Sequence, residues 1–474
     1  MADSVQETRE IRSVADELFR QSYPGYRLCN YAGSVASESL HLSLSPIVDP
    51  VCPNCGKHCS KKHGTLQRIV RCAPRDGFAH VFLHLPVRRV RCQCGCRRME
   101  QISWMDAHAR ISHKLTALIQ ADLRDGDSNS TVAKRYGIDW GTVKRLDKLQ
   151  LQHCFADIDM RGVKHLIMDE FSIQKGHRYA TVVMDADTHR AIWVCKGKSG
   201  NDVKVFFQYL QDQGLAHQIE SVSMDMNACF PGLVRQYLPK ARIIYDLFHV
   251  LQMFTRDVLV TAKKYCQDKI NAQLIELDRS HLKCDGSTDD AQQRKLLKCN
   301  LKQRRATLTS AQWVLIKPRE MLEQDDIEKL QNLRQNNQLL ADLYPIADLL
   351  RNAWKQKSAE STAQLIHDTQ QLLLTIARVH LFEPARTFAK MLKRRIDGIL
   401  FAGHFGYSSC PLEGANNAIK VVKRVAYGFR DFEYFKLKIY ARLPGIRRNP
   451  YKFLSRSLAV TNFGLRRCCF HTNS

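Results

Sequence analysis

From residue 161 the chain alternates apolar β-rich runs with short polar turns: VKHLIMD (163–169), RYATVVMD (178–185) and RAIWVC (190–195), separated by KGH and ADTH. Runs of this length and composition predict three hairpin-linked strands. The pattern then switches to a helical stretch over Asp202–Gln213, a fourth strand at Ile219–Met224 and a helix after Pro231. A fifth strand at Ala241–Tyr245 and a helix from about Phe248 follow. Strands that first pair by hairpins and then alternate with helices give a mixed sheet with helices on its faces. Residues 251–400 read as an almost wholly helical, highly charged insertion, 401–445 as a return to the sheet through a final helix, and 446–474 as a basic tail. Upstream, residues 1–45 give one helix and a mixed apolar stretch, 46–105 short β-like runs rich in Cys and Arg, and 106–160 polar helices. The predicted class is thus a multidomain α/β chain.

Composition narrows the partners. Lys+Arg 72 against Asp+Glu 47 leaves a net charge of +25 over 474 residues, an excess that points to a polyanion and to nucleic acid first. There is no apolar run of 18 residues, so no membrane partner is expected. The opening MADSVQETREIRSVADELF is acidic and helix-patterned, without the basic and apolar regions of a secretion signal. Seventeen cysteines, an odd number, suit a reducing cytoplasm, where clustered thiols bind metal rather than pair.

Two segments carry recognisable chemistry before the sheet. Cys52-Pro-Asn-Cys55-Gly is a metal knuckle, and Cys92-Gln-Cys94-Gly-Cys96 is a second, after the strand-like HVFLHLPVRRVR. Four thiolates close a tetrahedral structural zinc site of the ribbon type. The second knuckle offers three thiols for two places; the Cys-Gly pairing favours Cys94 with Cys92, and Cys96 stays open. Arg68, Arg71, Arg75, Arg88, Arg89 and Arg91, between the knuckles, favour a phosphate backbone. Farther on, NSTVAKRYGIDWGTVKRL from Asn129 fits a helix-turn-helix, with Ala133 where helices touch and Gly137 at the turn. Val132, Tyr136, Ile138, Val143 and Leu146 supply its inner faces; Asn129 or Ser130 would cap the first helix and Asp139 the second. The second helix would turn Trp140, Thr142, Lys144 and Arg145 toward DNA.

Three carboxylates stand apart. Asp169 ends the run Val163–Met168, Asp225 ends Ile219–Met224, and Glu413 lies just inside a helix, PLEGANNAIKVVKR, whose other charges are all basic. A carboxylate at the tip of a buried strand is costly unless a cation meets it. Three from distant segments suggest shared magnesium, two ions (or manganese) being the arrangement that suits phosphoryl transfer. On the last helix Glu413, Asn416, Asn417 and Lys420 recur at spacings of three and four, so one face can present them, with Lys423 and Arg424 toward phosphate. Glu170 points to the opposite strand face and is a poor substitute ligand.

The segments MDEFSIQKGHRYATVVMD, SMDMNACF, YDLFHV, PLEGANNAIKVVKRVAYGF and FEYFKLKI resemble the bacterial insertion-sequence transposases called the ISL-three family. The resemblance spans nearly all of 50–440. It implies a zinc ribbon (46–105), a helix-turn-helix (106–160) and an RNase H-like catalytic core (161–250 and 401–445) split by the helical insertion. It further implies Asp169, Asp225 and Glu413 as metal ligands, with Asp246 and His249 (a D-x-x-H pair), Asn417 and Lys420 in support. The implied activity is metal-dependent cleavage of DNA at the element's terminal inverted repeats and transfer of the strands to target DNA by water or a 3′-hydroxyl. The implied setting is a homodimer at the bacterial nucleoid. Other readings are a catalytically silent DNA-binding regulator and another RNase H-like metal nuclease.

Overall fold

The computed structural model describes residues 17–445 apart from Leu18, Val35, Lys61, Asp76, Lys175, His177, 227–228, Asp246, 281–287, 311–313, Ile316, Pro318, Lys357 and 406–409. The basic tail and Asp246 therefore lie outside the described residues. Two compact units appear: described residues up to Ala156 with Arg424–Phe429, and Asp157–Lys423 with the described residues from Arg430.

The first unit opens with a four-stranded mixed sheet of β1 (Tyr26–Ser34), β2 (Ser39–Pro46), β3 (Lys62–Cys72) and β4 (His80–Val90), in the order β1-β2-β4-β3. Strand β4 alternates fully buried Val81, Leu83, Leu85 and Val87 with half-buried positions, and its inner face packs on Leu42, Leu44, Val70 and Trp104. The hairpin register pairs Lys62, at the start of β3, with Val90, at the end of β4. The chain before β3 and the chain after β4 thus leave the sheet at one end, and these are the two knuckles. Arg88 is not phosphate-facing as the sequence suggests. It is 4% exposed and holds Glu100 through Nε and Nη2 at 2.5–3.0 Å, while Nη1 donates to the Val48 carbonyl at 2.7 Å. Arg71 is likewise occupied, donating to His80 and to the Tyr136 carbonyl.

Three helices follow: α1 (His113–Asp125), α2 (Asn129–Tyr136) and α3 (Trp140–Cys154). Each begins at a side-chain cap, Ser112, Ser128 and Asp139, that accepts from the backbone N–H three residues on. The cap of α2 is thus Ser128, not Asn129 or Ser130. Gly137 ends α2 at φ 57°, the left-handed conformation that lets the chain turn directly into α3. Leu115, Ile119, Val132, Ala133, Tyr136 and Val143 close the core between the helices.

The second unit holds a five-stranded mixed sheet: β5 (His165–Gln174), β6 (Arg178–Asp185), β7 (Arg190–Lys196), β8 (Ser221–Met224) and β9 (Arg242–Tyr245), ordered β7-β6-β5-β8-β9. The first three pair antiparallel by hairpins; β5, β8 and β9 are parallel. Helices α4 (Gly200–Asp212) and α5 (Phe230–Tyr237) make the crossovers. Phe206, Phe207, Phe230 and Val234 bury one sheet face, against Leu166, Met168, Val222 and Met224. After β9 come α6 (Leu247–Met253), a π-helical turn (Phe254–Leu259), α7 (Val260–Ser280), α8 (Thr288–Ser310), α9 (Gln324–Asn336), α10 (Gln338–Lys355), α11 (Ala359–Val379), α12 (Glu383–Arg394) and α13 (Ile396–Phe405). The chain returns through α14 (Cys410–Val425) and α15 (Phe432–Arg442). Phe435 of α15 meets Phe171 edge-on, 6.1 Å between ring centres, and the Tyr440 hydroxyl accepts from the Val194 N–H, so α15 covers the other face.

Candidate functional site

Asp169 does not end its strand, as the apolar run suggests. Strand β5 continues to Gln174 because its outer half pairs with β6, and Asp169 faces Val182 in that register. What ends there is the pairing with β8, whose last register pair is Met168 with Met224. Asp225 is the next residue beyond that pair, so both aspartates sit where the parallel strands stop, the usual place for a ligand on such a sheet. Strand alternation sets Asp169 on the face of Ile167 and Phe171, away from the Leu166–Met168 core. Glu170 points the other way, to Lys198 at 3.5 Å.

Asp169 sits in a largely enclosed setting among charged and polar groups. Its residue is 7% exposed. Burial pushes its carboxyl above the usual range; the Asn416 amide, the Glu170 backbone and nearby His249 draw it down, and nearby Asp225 pushes it up again. His249 approaches from α6, just past the end of β9. Arg395, at the end of α12, lies over the Tyr245 ring at 5.3 Å, and its charge is felt by Asp225.

Helix α14 is laid along β5 by two contacts. Asn416 Nδ2 donates to Asp169 Oδ2 at 2.5 Å, and Lys423 Nζ donates to the Ser172 carbonyl at 2.9 Å. Seven helical residues advance about 10.5 Å, and three strand residues about 10 Å, so helix and strand run side by side in the same direction. Glu413, one turn before Asn416, is then level with Met168, the partner of Met224 next to Asp225. Its side chain is exposed. Asn417 is exposed too, and accepts from Lys420 at 3.5 Å. Of the two asparagines it is Asn416 that bonds to Asp169. Lys423 is turned to β5 rather than left open for phosphate.

In the first unit the two knuckles bring Cys52, Cys55, Cys92 and Cys94 together, every sulfur within 4.8 Å of the others, whereas Cys96 stands outside this set. Cys52 and Cys94 sulfurs are 3.6 Å apart, and those of Cys55 and Cys92 3.5 Å. A tetrahedral ion with bonds of about 2.3 Å to sulfur needs edges of about 3.8 Å, so the set fits zinc. Gly56 and Gly95, at φ 70° and 83°, turn each knuckle. Burial opposes ionisation of Cys52, but N–H groups of Cys55 and Asn54 outweigh it and bring its pKa down to about 6, whereas Cys55, despite the Lys57 N–H, is pushed up to about 11 by its bond to Cys92. On α3, Trp140 and Arg145 are exposed and Thr142 and Lys144 half-exposed, with Lys144 Nζ 5.8 Å from the Trp140 ring.

A helix-turn-helix in a chain of net charge +25 points to nucleic acid as the partner. A family model described as "Transposase", of the DDE ISL3 type, matches residues 166–439, and one described as "Helix-turn-helix domain of transposase family ISL3" matches 100–149. The transposase of insertion sequence IS1001 from Bordetella parapertussis is 33% identical over 413 residues, 86% of this chain and 93% of that one. The transposase of IS1557 from Mycobacterium tuberculosis is 25% identical over 360 residues, 75% and 77% of the two chains. The Drosophila P element transposase strand transfer complex aligns at a TM-score of 0.31 and 10% identity, over 69% of this chain and 90% of that one. The chain belongs to the ISL3 transposase family. It is a DNA transposase with a helix-turn-helix DNA-binding domain.

Proposed function

We propose that Asp169, Asp225 and Glu413 form one divalent-metal site that cleaves DNA at the ends of an insertion sequence and joins those ends to target DNA. The observation that carries this is the laying of α14 on β5 by Asn416 and Lys423, which supports a position for Glu413 near the strand ends that bear the two aspartates. The sheet order β7-β6-β5-β8-β9, with acids where parallel pairing ends, supports an RNase H-like core. Two magnesium or manganese ions, when bound, would activate the attacking oxygen and stabilise the leaving one. The chain itself supplies the carboxylates that hold such ions and the helix that fixes their spacing. His249 stands beside Asp169 to steady its charge, and Lys420 stays near the phosphate path. Asp246 is proposed in the same supporting part from the sequence alone. No Ser or Tyr nucleophile is needed, because water or a 3′-hydroxyl attacks the phosphodiester.

The four-thiolate cluster is read as structural zinc, holding the end of the β3–β4 hairpin. Trp140, Thr142, Lys144 and Arg145 are proposed to face the terminal inverted repeats, and joining two ends calls for two copies, a homodimer. Alanine at both Lys144 and Arg145 should weaken repeat binding and flatten its salt dependence. Each lost phosphate contact lowers the slope of log K against log salt by about 0.9. Fluorescence anisotropy across a salt series reads this, and an unchanged slope would place the DNA elsewhere. The activity itself is tested with a labelled duplex bearing the inverted repeat, target plasmid and magnesium. Joined product is expected; cutting without joining would favour the nuclease reading, and neither would favour the regulator.

A further inference from the structure

Asn416 carries an observation that the three acids leave unexplained. Its Nδ2 donates to Asp169 Oδ2, and its carbonyl Oδ1 is buried with no hydrogen-bond partner among the described residues. A buried polar atom of this kind calls for something to complete it. Turning the amide over would set its carbonyl oxygen against a carboxylate oxygen, acceptor on acceptor, so the donor must face Asp169. Lys420, one turn on, is engaged with Asn417 instead. The missing partner must be a donor or a cation, and a DNA phosphate oxygen, itself an acceptor, is neither.

We infer that Asn416 is a fourth oxygen ligand of the divalent-ion site, steadying Asp169 through its amide and offering its carbonyl oxygen to the same ion. The inference rests on the proposed metal site and adds a residue to it. Hard divalent cations accept amide carbonyl oxygens alongside carboxylates. A neutral ligand here completes coordination without adding a further negative charge beside Asp169 and Asp225.

Titration calorimetry with Mn2+ on the DNA-free, zinc-loaded full chain tests it without reading activity. The wild type should bind Mn2+, and Asp169→Asn should lose that binding. Asn416→Leu should weaken it by about tenfold or more, the scale of lost ligand-sphere contacts, whereas Asn416→Asp, which loses the donor to Asp169 as Leu does but keeps an oxygen in place, should bind Mn2+ more tightly than Asn416→Leu. Wild-type affinity in Asn416→Leu, beside a loss in Asp169→Asn, would overturn the inference about Asn416 alone. Binding in Asn416→Asp as poor as in Asn416→Leu would also overturn it, leaving only the amide contact to Asp169. Full Mn2+ binding in Asp169→Asn would sink the underlying metal site.

Discussion

Asp169→Asn, Asp225→Asn and Glu413→Gln should each lower strand transfer by roughly a thousandfold or more, the scale on which one member of a cooperating catalytic set is missed. Each change keeps the shape of the side chain and removes one negative charge, so it strikes ion binding and little else. Binding of the inverted repeat should stay within about twofold, because the residues proposed to contact it belong to the other unit. Asp169 is the severest case. Its carboxyl is already held above the usual range by burial and by Asp225, so its ionised form depends on a cation more than that of an exposed acid. Glu413 is the most informative, being exposed and placed by the helix rather than by the sheet. The repeat duplex and target plasmid assay reads all three, with anisotropy as the control for binding. Transfer at the wild-type rate in any one variant removes that residue from the site.

The second large effect is expected at the knuckles. Cys52→Ser and Cys94→Ser should each lose the one zinc ion per chain and, with it, the folded form of the thiol platform. A structural zinc contributes on the order of 10 kcal/mol to folding of a small domain at neutral pH. Arg88 and Glu100 lie next to this platform and tie Val48 to it, so repeat binding should fall as well. Cys96→Ser is the contrast. The Cys96 sulfur lies outside the four-thiol set, so that variant should keep a full equivalent of zinc by elemental analysis. Loss of zinc there, with retention in Cys94→Ser, would reverse the assignment of the second knuckle.

The sequence carried some of this more clearly than the rest. The five strands of the second unit's sheet are legible because apolar runs are set off first by hairpin turns and then by helical stretches, and Asp169 and Asp225 close two of those runs. Glu413 was not legible in that way: it lies 188 positions after Asp225 (413 − 225), and a carboxylate in the first turn of a helix is ordinary. Only the family resemblance brought it to the sheet. The choice between Asn416 and Asn417 is beyond any periodicity, because neighbours on a helix differ by about 100° and only a contact with β5 decides between them. Arg88 resembled its arginine neighbours until the fold set Glu100 against it. Strand β1 is not legible for a different reason: past Leu28 its residues are exposed on both faces, so most of it shows no alternation. At the first cap of the helix-turn-helix, Ser128, Asn129 and Ser130 are all good caps, and backbone geometry alone selects Ser128.

Glu413 is proposed to join Asp169 and Asp225 around the same metal. Anomalous diffraction from crystals of the protein bound to inverted-repeat DNA and grown with Mn2+ tests it most directly. A peak is expected between the two aspartates with a Glu413 carboxylate oxygen within about 2.3 Å, the reach of an oxygen ligand to such an ion. A peak held by Asp169 and Asp225 with Glu413 turned away, and another acid in its place, would contradict it.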